Sequence, residues 1–176
     1  MTVATLNIPE GVPSDGTVRV DFVPTAGIVD PAAATLTELT GATAEMIGCH
    51  LFGIGMGATT ERKEKKRLCA KAKYELLGAT TYTIEALQYI YDVQNPSSDA
   101  NAAYAALVPH STGYLVVRWG IDAAEDLKAS QVVDIYPVRL GPQIKQAPEE
   151  NDELTVSQEV AVIGDPVIDY EIPSSP

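Results

Sequence analysis

Polar and apolar positions alternate along much of this chain, and the period of two predicts a β protein. TVRVDFV (17–23) sets Val18, Val20 and Phe22 on one side and Arg19, Asp21 and Val23 on the other. ELTVSQEVAVI (153–163) is the clearest strand, with Leu154, Val156, Val160 and Val162 inward and Glu153, Thr155, Ser157 and Glu159 outward. GYLVVRWG (113–120) is apolar almost throughout and reads as a buried strand. QVVDIYPVRL (131–140) contains Pro137, which cannot donate to a ladder, so an edge or bulged strand is expected there. EMIGCHLF (45–52) is apolar enough for a further strand.

Residues 67–76 alternate without a break, Leu68, Ala70, Ala72, Tyr74 and Leu76 against Arg67, Cys69, Lys71, Lys73 and Glu75. A long strand region follows over 76–92, joined at Gly78 and bulged near Ala86, where the face pattern shifts. One helix is predicted, SSDANAAYAALV (97–108). Ser97 or Ser98 caps it, Asp99 suits the first-turn dipole, and Pro109 stops it. Ala102, Ala103, Ala106 and Leu107 give it a small face for close packing on a sheet.

Prolines and small residues predict a long structured loop over 24–43, and glycines followed by charges predict another over 53–67. Residues 1–16 read as a flexible leader and 165–176 as an acidic, proline-rich tail, leaving one domain over 17–164. The sum is an α+β, mainly β fold: two packed antiparallel sheets, a sandwich or barrel, with one flanking α-helix.

Composition narrows the chemistry. The 176 residues suffice to bury about 70% of the unfolded surface in one core. The net charge of −12 argues against a protein that wraps nucleic acid, because phosphate binding needs lysines and arginines to displace counterions. No run approaches the roughly 20 apolar residues of a membrane helix, and MTVATLNIPEG has no signal-peptide pattern. Cys49 and Cys69 are expected to be reduced core or strand-surface residues, and with His50 and His110 they lack the paired spacing of a metal site. Gly53, Gly55 and Ala58 satisfy G-x-G-x-x-A, but the alternation that follows denies them the helix a dinucleotide needs. No nucleophile and base converge in the pattern, so neither catalysis nor a cofactor is expected.

Seven of the twelve lysines and arginines lie within ERKEKKRLCAKAK (61–73). The rest of the chain is therefore strongly acidic.

Several stretches together resemble the major tail proteins, the tail tube proteins, of bacteriophages with long non-contractile tails. These are VDFVPTAGIVDPAAATLTELT (20–40), YIYDVQNP (89–96) with the helix after it, GYLVVRWG (113–120), VVDIYPVRLG (132–141) and APEENDELTVSQEVAVIG (147–164). The resemblance implies a structural virion protein, assembled in the host cytoplasm. Six copies close into a ring by pairing sheet edges, and rings stack through a long hairpin loop and the termini around a tape-measure protein. Tail-terminator and tail-tip proteins complete the tail, and DNA passes down the bore. A head-to-tail joint or tail-terminating ring protein shares the fold, and a monomeric ligand-binding β module is the remaining alternative.

Two sets of residues follow as expectations. Arg62, Lys63, Lys65, Lys66 and Arg67 would form a hairpin tip reaching another subunit, with Glu149, Glu150, Asp152, Glu153 or the tail as targets; a solvated loop that limits edge pairing is the plain alternative. Glu153, Thr155, Ser157 and Glu159 would suit a water-filled bore whose carboxylates let DNA slide, although an ordinary solvated sheet face has the same pattern.

Overall fold

The strands that are apolar on both sides take the middle of the sheet. The computed structural model describes residues 9–148 and 150–174; the expected leader falls partly, and Glu149 wholly, outside them. In chain order the elements are β1 (Val18–Pro24), α1 (Leu36–Leu39), β2 (Glu45–Met46), β3 (Met56–Lys65), β4 (Tyr74–Ile84), β5 (Leu87–Ile90), α2 (Ala102–Ala106), β6 (Thr112–Trp119), β7 (Val132–Lys145), β8 (Thr155–Val162) and β9 (Val167–Glu171). Seven strands form one antiparallel sheet in the order β2-β1-β6-β7-β8-β5, with β9 also on β7, and β3 and β4 pair only with each other. The sheet curls on itself: just past β2, Leu51 bridges Tyr89 of β5 and the Phe52 N–H reaches the Gln88 carbonyl at 3.0 Å. The mainly β, α+β class is as expected, and its second sheet is this small separate ribbon.

Curling makes two cores. Inside lie Val20, Phe22, Leu87, Tyr89, Leu115, Val117, Val138, Leu140, Val156 and Val160, with Ala103 and Leu107 of the α2 region closing one end. On the opposite face Val23, Val116, Val133 and Ile135 pack beneath Ile28, Ala34, Leu39, Leu127 and Ile172. Burial of each such side chain is worth about 1.5–3 kcal/mol, so β1 and β6 are fixed from both sides.

The covering of the second core is the segment expected to be a loop. It holds two 3-10 turns, Thr25–Gly27 and Pro31–Ala33, before α1. Thr35 and Glu38 form a reciprocal capping box, the Thr35 side chain accepting from the Glu38 N–H and the Glu38 carboxylate from the Thr35 N–H at 2.8 Å.

Other expectations change. The strand over 45–52 is only two residues, because the Ile47 N–H turns in to the Val20 carbonyl and Gly48–His50 continues as a 3-10 turn. The loop over 53–67 is strand from Met56, and the continuous strand over 67–76 is instead a turn until Tyr74, since the register Met56↔Ile84 to Lys65↔Tyr74 puts the reversal at 66–73. Gly78, the expected joint, lies within β4, and the irregularity near Ala86 is where the chain leaves β4 for β5. The helix shrinks to a 3-10 turn, Asp99–Asn101, capped by Ser98, plus α2. There Asn101 is buried and spends its side chain on the Asp92 and Asn95 carbonyls and the Asp92 N–H. The acidic tail supplies β9, and Ile172 is fully buried.

Pro137 sits on the most central strand rather than an edge. Its carbonyl accepts from the Ile163 N–H at 3.0 Å, and in an antiparallel ladder the nitrogen of the same residue faces the same way. That nitrogen points into the gap where β7 changes partner, from β9 up to Ile135 to β8 from Val138. No ladder donor is missed. The Asp134 carboxylate spans the β9 side of the gap, accepting from the Asp169 N–H and the Trp119 indole N–H, each at 2.9 Å.

Candidate assembly surfaces

Charge is segregated between two parts of the subunit. The β3–β4 ribbon forms an arm whose residues 61–75 carry seven cations and three carboxylates, while the remaining residues carry five cations and twenty-one carboxylates. The arm exposes both of its faces: Thr60, Tyr82, Ile84 and Met56 are the only strand positions on it with substantial cover. Its outer edges have no ladder partner among the described residues. Leu68 is fully exposed at the turn, and Leu76 and Leu77 project on opposite faces further down. A two-stranded hairpin of this kind is marginal alone in water.

The arm's cations are only partly matched. Lys73 pairs with Glu64 at 2.8 Å and Arg62 with Glu75 at 3.5 Å, both in solvent where such pairs contribute little. The Arg67 Nε–H donates to the Tyr74 hydroxyl at 3.0 Å, its guanidinium 5.8 Å from that ring's centre. Of the cations expected at the tip, Lys66 and Arg67 are in the turn, and Arg62, Lys63 and Lys65 are on β3 just before it.

The outward positions of β8 divide. Thr155, Ser157 and Glu159 alternate on its outer face as expected, but Glu153 precedes the strand, its N–H bound to the Asp152 carboxylate at 2.8 Å. Leu154, expected inward, precedes the strand and is exposed, while Gln158, given no side by the pattern, points inward. That polar side chain is fully buried because each of its groups is satisfied: its Oε1 accepts from the Tyr89 hydroxyl, and its Nε2 donates to the Leu107 and Gly141 carbonyls. Cross-strand neighbours pair Ser157 with Gln88 and Ile144, and Ala161 with Arg139. The open face therefore mixes neutral side chains with Glu159 and Arg139. The expected acidic targets Glu150, Asp152 and Glu153 lie in the exposed turn before β8.

A groove of about 500 Å³ lies between β1, β2, α1 and the loop after β6. Arg19 and Asp21 form a bidentate pair in it, at 2.9 and 3.0 Å. Burial pushes the Asp21 carboxyl up despite the opposing pull of Arg19.

The remaining candidate chemistry disperses. His50 lies in a turn with its Nε2 at 2.8 Å from the Asp99 carbonyl, and His110 is exposed. Cys49 and Cys69 are free, and both are exposed rather than buried in the core. Among the described residues no cluster of His, Cys, Asp and Glu could hold a metal, and no helix is long and apolar enough to cross a membrane. A strand, not a helix, follows Gly53 and Gly55, so their amides cannot present a helix terminus to a pyrophosphate.

Comparison with protein families matches residues 5–175 to one family, described as phage tail tube protein. No curated protein matches the chain.

Proposed function

The chain belongs to the phage tail tube proteins, structural components of the virion tail, and on that premise we propose that it closes into hexameric rings that stack as the tube of a long non-contractile tail. The tube is the conduit through which DNA leaves the virion. The arm carries this reading: a long two-stranded ribbon whose outer edges have no ladder partner among the described residues, and whose faces are largely exposed, is marginal until another chain covers it. Its positive charge and the body's negative charge make a second copy of the same chain the matching partner. Arg62, Lys63, Lys65, Lys66 and Arg67 act in this contact, and Thr155, Ser157 and Glu159 line the bore. Such a bore holds few cations, so phosphates pass without the counterion release that would trap them. The tape-measure protein fills the tube during assembly, and terminator and tip proteins cap its ends.

Negative-stain imaging of the purified full chain tests the reading. Filaments with a central channel and six-fold end views are expected at physiological salt. Single rings that never stack would favour a terminator or joint protein, and a monomer at high concentration would remove the reading altogether. Reversing Arg62, Lys63, Lys65 and Lys66 to Glu should abolish filaments. Unchanged filaments in that variant would refute the docking role of the arm.

A further inference from the structure

The groove between β1, β2, α1 and the loop after β6 has a floor of Leu36, Leu39 and Met46, and Leu36 and Met46 are only half-buried. Glu45 and Asp126 stand on its rim, both exposed. Arg19 offsets them only in part. It is committed to Asp21 and to the Glu125 carbonyl at 2.9 Å, and reaches Asp126 only at 3.5 Å. Glu45 has no ion-pair partner among the described residues. Three other grooves of the body, beside Trp119, at the root of the arm and beside Tyr104, each carry a single carboxylate.

The arm's turn has the opposite composition: fully exposed Leu68, flanked by Arg67 and Lys71, neither paired with a carboxylate among the described residues. Ten strand residues at about 3.3 Å each put this turn about 33 Å from Met56. Each subunit therefore offers one cationic leucine tip and one acidic leucine-floored groove, unlike surfaces of the kind that join copies head to tail.

On the reading that copies join through the arm, we propose that this groove receives the arm tip of a second copy. Leu68 covers Leu36 and Met46, while Arg67 and Lys71 face Glu45 and Asp126. The apolar contact removes water from Leu68, and the charges fix which groove is entered and in what register.

The native Cys69, next to Leu68, supplies the probe. Glu45→Cys and Asp126→Cys are each made in the full chain with Cys49→Ser, assembled, and oxidised with copper phenanthroline. Disulfide-linked dimers and higher ladders on non-reducing gels are expected, and they should vanish when Cys69→Ser is added. Separately, Glu45→Lys with Asp126→Lys should slow filament growth at least tenfold, as should Arg67→Glu with Lys71→Glu, and the four changes together should restore it. If filaments form and require the arm, yet neither cysteine variant cross-links and the charge swap gives no rescue, the groove assignment is overturned while the arm reading stands. If a chain with the arm shortened still makes filaments, both fail.

Discussion

Arg118 is the largest fully buried side chain, and removing it is a direct test of how the loop after β6 is held. Its Nη2–H donates to the Asp122 carbonyl at 2.6 Å, and its Nη1–H to the Asp126 carbonyl and the Gln131 Oε1, both at 3.1 Å. Burial, reinforced by Arg19, holds its pKa below the ordinary arginine value, and its Nε–H has no partner among the described residues. Bonds to a charged group contribute about 1.5–3 kcal/mol each, while desolvation of the ion costs several kcal/mol in return. Arg118→Ala leaves a cavity and loosens the loop, so a loss of about 3–5 kcal/mol is expected. Arg118→Met keeps the packed stem and removes the orphaned Nε but gives up three bonds; the Asp122 carbonyl keeps the Glu125 N–H and the Gln131 Oε1 keeps the Lys128 N–H, so the Asp126 carbonyl is the acceptor left stranded, and about 1–3 kcal/mol should be lost. Urea unfolding of the unassembled subunit measures both. With an m value of about 2 kcal/mol/M, a loss of about 3 kcal/mol lowers the midpoint by about 1.5 M at unchanged slope. A methionine variant as stable as the parent would show that desolvation cancels the bonds, and that the loop does not depend on the guanidinium.

Other outcomes follow from single sites. A Cβ added at Gly113 would stand 2.6 Å from the Phe22 ring and 2.7 Å from the Val23 carbonyl, so Gly113→Ala should cost about 1–3 kcal/mol by urea midpoint. Gly53→Ala, with nothing within 4 Å, is the matched control and should leave that midpoint within about 0.5 kcal/mol of the parent. Thr35→Ala should cost about 1 kcal/mol through the lost cap, read from thermal melts. Bonds from Thr35 and then Val29 hold the Glu38 carboxyl below its usual value of 4.5. Its folded value is the lower one, so its stabilisation is whole above about 4.5 and disappears as pH falls through the folded value; melts of Glu38→Gln should lack that acid-side loss. Burial pushes the Tyr89 hydroxyl up to about 12. Its contribution is whole below the unfolded value of about 10 and is lost as pH rises toward 12, so Tyr89→Phe should flatten the alkaline limb of a stability profile.

Where a strand has a buried face, the sequence showed it: β1 and β8 were legible from their period and β6 from its continuous apolar run. The arm was not, because MGATTERKEK has no buried face to impose a period and nothing in a one-dimensional pattern says where a ribbon reverses. The cationic cluster was plain as composition, yet its division between strand and turn needed the register. α1 did leave a signal, Thr35-x-x-Glu38, that a reading focused on prolines passes over. Leu154 falls before β8 and is exposed, and Gln158, to which the pattern gave no side, is buried because the interior offers it a complete set of partners. The short length of α2 depends on Asn101 binding the 92–95 turn, a contact that spacing does not reveal.

A ribbon that is marginal alone in water gains order from whatever covers it. If copies join through it, the earliest encounters bear that entropic penalty with little contact in return, while a subunit landing on a formed end meets a template. Polymerisation should then show a lag that preformed seeds abolish, and stocks of free subunit should persist until something nucleates them.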